Sequence, residues 1–245
     1  MELRIEKRVG AIVVLGLTAA LAEPTTFTVR HEHLRKGRTG TIEIGENSIS
    51  FQEDEKNPKH SREWKYEDIQ QMTLSPTELR ILTYEDQKWK LGLDREYAFD
   101  HLPENFATQV YPMFRRRLDQ RFVADLADPD ITPLWKVGAK LHQGLGGSVG
   151  TILVGSDRIV YQADKGQSHT WRDGDIDNIS SSGPFDFSIT TLERSAWHHG
   201  SPTEYHFQLK EEMHEARYNQ LWRRLNRRKG LQIFSSEINP SENPQ

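Results

Sequence analysis

The chain has no cysteine among its 245 residues. That excludes disulfides, thiolate zinc sites and cysteine nucleophiles together, although it names no compartment. It also lacks a strong charge of either sign, with 32 Lys and Arg against 36 Asp and Glu and a formal net charge of −4. A chain built to grip nucleic acid usually carries a strongly basic face, so no nucleic-acid partner is expected. Apolar residues make up only 35%, and beyond the N-terminal segment no stretch is apolar enough to cross a membrane. Neither G-x-S-x-G nor H-E-x-x-H occurs, and the many carboxylates single out no pair. The sequence therefore assigns no catalytic residue, no metal ligands and no cofactor. Its six Trp, seven Tyr and ten Phe are nevertheless enough for packed cores.

What is present begins at the N-terminus. Arg4, Lys7 and Arg8 precede the apolar run Val9 to Ala22, which ends in Ala20-Leu21-Ala22. A basic head, a short apolar body and a small-x-small end describe a secretory signal peptide over residues 1–22. The expectation is cleavage near Ala22 and an exported mature chain, periplasmic or secreted. Glu2 and Glu6 weaken the head, and an uncleaved N-terminal membrane anchor is the alternative.

The rest of the chain is organised around a duplication. Gly40 to Gln52, GTIEIGENSISFQ, returns without a gap at Gly150 to Gln162 as GTILVGSDRIVYQ. The copies lie too far apart for a solenoid unit of roughly 20–50 residues, so each marks a whole small domain. Phe27, Val29 and His31 alternate with Thr28, Arg30 and Glu32 as a half-buried strand should. Further strands are expected at Thr39–Ile44 and Ser48–Gln52, around Trp64 and Tyr66, at Ile69–Leu74 and Leu79–Tyr84, and within Trp89–Phe99. Phe106, Val110, Phe114, Leu118 and Phe122 then recur every four residues as a helix stripe, with Pro112 inside it as an expected kink or fresh start. Residues 125–133, rich in Asp and Pro, read as a linker. Trp171, Asp175-Ile176, Phe187, Ile189, Tyr205 and Phe207 answer Trp64, Asp68-Ile69, Leu79, Ile81, Tyr97 and Phe99. Met213, Leu221 and Leu225 answer Phe106, Phe114 and Leu118 on a closing helix. Residues 230–245 read as a disordered tail.

About seven short strands in hairpin order followed by one amphipathic helix resemble the pleckstrin-homology-like (PH-like) superfold. The residues carrying the resemblance are Gly40-Thr41-Ile42, Ile49-Ser50-Phe51, Trp64 and Asp68-Ile69. In the second copy they are Gly150-Thr151-Ile152, Ile159-Val160-Tyr161, Trp171 and Asp175-Ile176. The flavour is similar to GRAM-type and bacterial PH-like modules. The implied fold is mainly β: two tandem bent antiparallel β-sandwiches or partial barrels, over residues 26–124 and 134–229, each capped by a C-terminal helix. In many PH domains the first turn holds an anionic head group with Lys and Arg. Here Arg35, Lys36 and Arg38 occupy that turn, whereas the second copy has QGLGG. The resemblance thus makes Arg35, Lys36 and Arg38 a candidate anion-binding set, set against a plain solvated basic turn.

Other constellations are weaker. Gly144 to Gly150 is glycine-rich but leads into a strand rather than a helix, so it cannot cradle a phosphate as a P-loop does. Asp173, Asp175 and Asp177 mimic the start of a calcium loop, but Asn178 and Pro184 stand where glycine and glutamate are required. His31 and His33 share a strand face with no third metal ligand evident. The expected function is a non-catalytic extracytoplasmic interaction module that binds a protein, a peptide or an anionic membrane surface, with an open sheet edge as its expected contact. The alternative is a carboxylate- or His/metal-dependent hydrolase between the repeats, with Asp175, Asp177, His198 and His199 as its first candidates.

Overall fold

The computed structural model describes residues 25–32, 37–54, 60–86, 93–118, 122–143, 146–194 and 202–229. The N-terminal apolar segment, His33, Arg35, Lys36, His198, His199 and the tail lie outside the described residues. No described helix is long and apolar enough to cross a membrane.

Alternating apolar residues build the first repeat. Strands β1 (Thr25–His31), β2 (Arg38–Ile44), β3 (Ser48–Glu53) and β4 (Arg62–Lys65) form a meander. A single 3-10 turn holding Tyr66 then leads into β5 (Ile69–Leu74), β6 (Leu79–Asp86) and β7 (Asp94–Asp100), and β7 returns to pair with β1. Tyr66 was expected on the fourth strand; it sits past its end, donating from its hydroxyl to Gly45 O. Helix α1 (Phe106–Arg117) lays Phe106, Val110 and Phe114 onto the sheet core. It runs through Pro112 as one helix.

The second repeat copies this order. Strands β9 (Trp135–Gln143), β10 (Gly146–Val154), β11 (Arg158–Ala163) and β12 (His169–Arg172) form its meander. β13 (Ile176–Ser180), β14 (Asp186–Arg194) and β15 (Pro202–Leu209) follow, and α2 (Glu215–Arg228) closes it. Met213, read as part of the closing helix, precedes α2 but is still buried in the second core with Leu221 and Leu225. Each repeat has its own apolar core. The aromatic geometry is reproduced as well. Trp64 and Tyr97 rings lie 4.7 Å apart at 60°, and so do those of Trp171 and Tyr205. The leading glycines are fixed by close approach: a Cβ on Gly40 would lie 2.3 Å from Gln52 O, and one on Gly150 would lie 2.2 Å from Gln162 O. Arg117 and Arg224, from equivalent points on α1 and α2, both donate to a turn-glycine carbonyl, that of Gly45 or Gly155.

This is the mainly β architecture of two tandem repeats, each with a helix after its strands, that the sequence implied. One element was not foreseen. Phe122 does not extend the helix stripe: α1 ends at Arg117, Leu118 turns extended, and Phe122–Ala124 form a short strand, β8. β8 pairs in parallel with β5 (Met72↔Phe122, Leu74↔Ala124) and antiparallel with β12 (Thr170↔Ala124). It therefore fills the gap between the two repeats, and the strands among the described residues run in one sheet of fifteen, ordered β13-β14-β15-β9-β10-β11-β12-β8-β5-β6-β7-β1-β2-β3-β4. The helix stops there because the backbone of 122–124 satisfies two strand edges that would otherwise be left unpaired.

Candidate functional site: the seam between the repeats

The residues after β8 bind the repeats together. The Asp128 carboxylate is buried within residues 125–133. Its Oδ2 accepts from Tyr111 Oη at 2.8 Å, from Arg115 at 2.9 Å and from Arg158. Its Oδ1 accepts from the Asp130 amide at 2.9 Å. Tyr111 and Arg115 belong to α1 and Arg158 to β11, so one carboxylate joins both repeats. Burial, and then the bond to Asp128, push the Tyr111 hydroxyl well above the ordinary tyrosine value. Arg172, on β12, grips Asp175 through two 2.7 Å bonds and donates at 2.9 Å to Arg115 O at the C-terminal end of α1. A cation on carbonyls that lack helical partners is favourable. Arg194, on β14, reaches Gln70 at 2.8 Å and also pairs with Asp94 of the first repeat.

Held this way, the repeats share a cleft of about 1550 Å³. Gln71, Thr73 and Thr108 line it from the first repeat, and His169, Glu193 and Tyr205 from the second. On the second-repeat wall the side chains form a network. His169 is buried, with its ring stacked 5.4 Å from Trp171 at 12°. Its Nδ1 lies 2.9 Å from Asp125 Oδ1. A carboxylate only accepts, so Nδ1 carries the proton of that bond. The ring's Nε2 has no hydrogen-bond partner among the described residues. Next to it, Glu193 accepts from Tyr205 Oη at 2.8 Å and from Trp171 Nε1 at 3.2 Å. Burial raises the Glu193 carboxyl above its ordinary value, and the Tyr205 bond only partly offsets this. Burial likewise raises the Tyr205 hydroxyl, with Glu193 adding to the effect.

The residues singled out from sequence fall elsewhere. Arg38 lies 3.4 Å from the Glu53 carboxylate, whose side chain is almost wholly buried. This third cation of the basic turn therefore already faces a carboxylate, while Arg35 and Lys36 lie outside the described residues. Asp175 is committed to Arg172. Asp177, half-exposed on β13, pairs with Lys229 at 3.1 Å. Neither side chain is among those that line the cleft, and the other hydrolase candidates, His198 and His199, lie outside the described residues. His31 packs among the rings of Phe51, Tyr97 and Phe99 in the first core. No group of three His, Asp or Glu among the described residues is placed to hold a metal ion.

The sheet edges are also less open than expected. On β13, the carbonyls of Asp177 and Ile179 accept from Lys229 Nζ and from Tyr218 Oη. The other edge, β4, is four residues long and exposes Arg62, Glu63 and Lys65. Short, charged or capped edges discourage strand addition, so the seam is the more developed surface. Sequence reasoning missed it because its parts come from many separated segments. The one available signal was that Arg62 and Arg95 of the first repeat align with His169 and Thr203 of the second.

Fold and seam together define a duplicated, mainly β chain whose two repeats, each followed by a helix, are fastened into one sheet. No family model and no curated protein matches the sequence. One solved structure that it resembles is described as the "Structure of the Spt16D Pob3N heterodimer", at 10% identity and a TM-score of 0.34, covering 79% of this chain and 99% of that one. A superposition that weak carries no weight for function.

Proposed function

We propose that the chain is a non-catalytic interaction module that holds a polypeptide partner in the cleft between its repeats. The observation that carries this reading is the seam: Asp128, Arg172 and Arg194 hold both repeats around one shared cleft. A fold hosts many functions, so the reading rests on this site and not on PH-like architecture. A GRAM-type affiliation, export after cleavage near Ala22 and binding to an anionic membrane surface through Arg35, Lys36 and Arg38 belong to the same proposal.

The central test compares the immobilised chain from Glu23 onward with its Thr108→Trp variant, which places a large ring on an exposed position of the cleft wall. Proteins retained from the envelope of the source cell by the first and released by the second support the reading. Equal retention by both, or none by either, overturns it. Sequencing the N-terminus of protein recovered from its host decides the export proposal, and an intact Met1 sinks it. For the membrane proposal, vesicles of anionic lipid are expected to bind the chain and to lose most of that binding when Arg35, Lys36 and Arg38 are all changed to Ala. Added salt is expected to weaken it, because exposed charges are screened within about 10 Å at 0.1 M. Vesicle binding that survives the triple change removes the basic turn from the account.

A further inference from the structure

The two repeats differ most informatively where they should be the same. In the first, Tyr97 Oη donates to Glu85 at 3.0 Å, and the Arg95 guanidinium sits 4.9 Å over the Tyr97 ring and 3.6 Å from the same carboxylate. In the second, Tyr205 and Glu193 repeat the bond at 2.8 Å. The register fixes the correspondence: Ile81 pairs with Tyr97 as Ile189 pairs with Tyr205. The Thr83 and Thr191 hydroxyls agree with it by donating to the carbonyls of Arg95 and Thr203, at 3.1 and 3.3 Å. Thr203 therefore stands where the first repeat has Arg95, and His169 where it has Arg62. Among the described residues no Lys or Arg pairs with Glu193 or Asp125.

The second copy thus keeps the aromatic ring and the carboxylate of a cation site but not the cation. Unlike Glu85, which has Arg95 beside it, Glu193 faces a cleft shared with the other repeat. The Glu193 and Asp125 side chains both line it, beside His169, a side chain only 4% exposed whose Nε2 has no hydrogen-bond partner among the described residues. A guanidinium carries several N–H donors in a planar fork and stacks on aromatic rings. We infer that the cleft takes an arginine side chain from the partner polypeptide, seated over Tyr205 and paired with Glu193, in the place that Arg95 fills within the first repeat. This rests on the proposed binding of a polypeptide in the cleft and gives the chemistry of its anchor. The Glu193 carboxyl, held above its ordinary value by burial, would ionise when the cation arrives.

The test uses the full chain and a small probe, N-acetyl-arginine amide, with N-acetyl-citrulline amide as its uncharged counterpart. The readout is the indole N–H resonance of Trp171, which donates to Glu193, assigned by its loss in Trp171→Phe. The arginine probe is expected to shift that resonance and the citrulline probe to leave it in place. Glu193→Gln is expected to raise the concentration needed by roughly tenfold or more, the scale of losing a charge-assisted pair. Thr203→Arg restores the first repeat's own cation and is expected to abolish the response while raising the melting temperature. Equal shifts from both probes overturn the inference, as does an unchanged response in Glu193→Gln or in Thr203→Arg, or no response in wild type up to the solubility limit. If the probe fails while Thr108→Trp still releases captured proteins, the anchor is wrong and the binding module stands. If the probe binds and no protein is captured, the arginine site stands and the polypeptide partner does not.

Discussion

Replacing Asp128 with alanine tests whether the repeats are one cooperative unit. The carboxylate is fully buried and receives two arginines, one tyrosine hydroxyl and one backbone amide. Its removal leaves Arg158, only 15% exposed, without its buried partner, and strands the Tyr111 hydroxyl. Breaking a buried pair from one side typically costs about 3–5 kcal/mol, because the remaining charge stays desolvated. Arg115 is 27% exposed and Arg158 also contacts Asp157 at 2.8 Å, so water and a second carboxylate recover part of that cost. The expected loss is therefore about 3 kcal/mol, at the lower end of that range. The two apolar cores share no residue, so loosening the seam is also expected to split a single urea transition into two. Urea unfolding followed by tryptophan fluorescence and far-UV circular dichroism measures both effects. A loss under about 1 kcal/mol with one sharp transition would show that β8 pairing alone holds the repeats together, and the role assigned to Asp128 would be refuted.

Gly40→Ala and Gly150→Ala are each expected to cost about 1–3 kcal/mol, since the added methyl would meet a carbonyl and must displace a strand; denaturant midpoints check this, and a neutral alanine at either site contradicts the close approach. The two losses are expected to add, because the glycines belong to separate repeats. Glu193 gives a pH prediction. Its carboxyl is held above the ordinary value when folded, so at intermediate pH the folded chain keeps a proton that the unfolded chain releases. Stability from this site is intact below the ordinary glutamate range and falls as pH rises through it toward the folded value. Glu193→Gln has no such proton to lose, and its amide oxygen can still accept from Tyr205 Oη, so the variant is expected to gain on wild type toward neutral pH. Parallel stability curves from about pH 4 to pH 8 would contradict this.

Most of the fold was legible because each strand buries one face against its own repeat. That leaves the period-two pattern seen in Phe27-Val29-His31, and it makes Gly40 and Gly150 recur under the same steric constraint. The helices were legible at Phe106, Val110 and Phe114 for the same local reason. β8 was not. Phe122 continues the four-residue spacing that starts at Phe106, and Phe-Val-Ala buries all three side chains, so no alternation marks it as a strand. Asp128 sits among Asp and Pro residues that read as a linker. Its side-chain partners lie 13, 17 and 30 residues away in sequence, and no local pattern connects them.

The duplication itself separates constraint from opportunity. Positions that agree between the copies, such as Trp64 with Trp171 and Thr83 with Thr191, are those each bent sheet needs in order to close. Selection for folding alone would preserve them in both. Positions that differ while their surroundings stay the same were released from that duty. Arg95 and Thr203 are such a pair: the ring, the carboxylate and the threonine hydroxyl bond are kept on both sides while the cation is gone, and His169 replaces Arg62 beside them. A carboxylate left without its arginine, in a half-buried place, costs stability unless something compensates. In the first repeat the compensation is internal. In the second, Tyr205 and Trp171 donate to the carboxylate and the missing charge would come from the proposed arginine, which is why the difference between two aligned residues suggests more about function than the many identities around them.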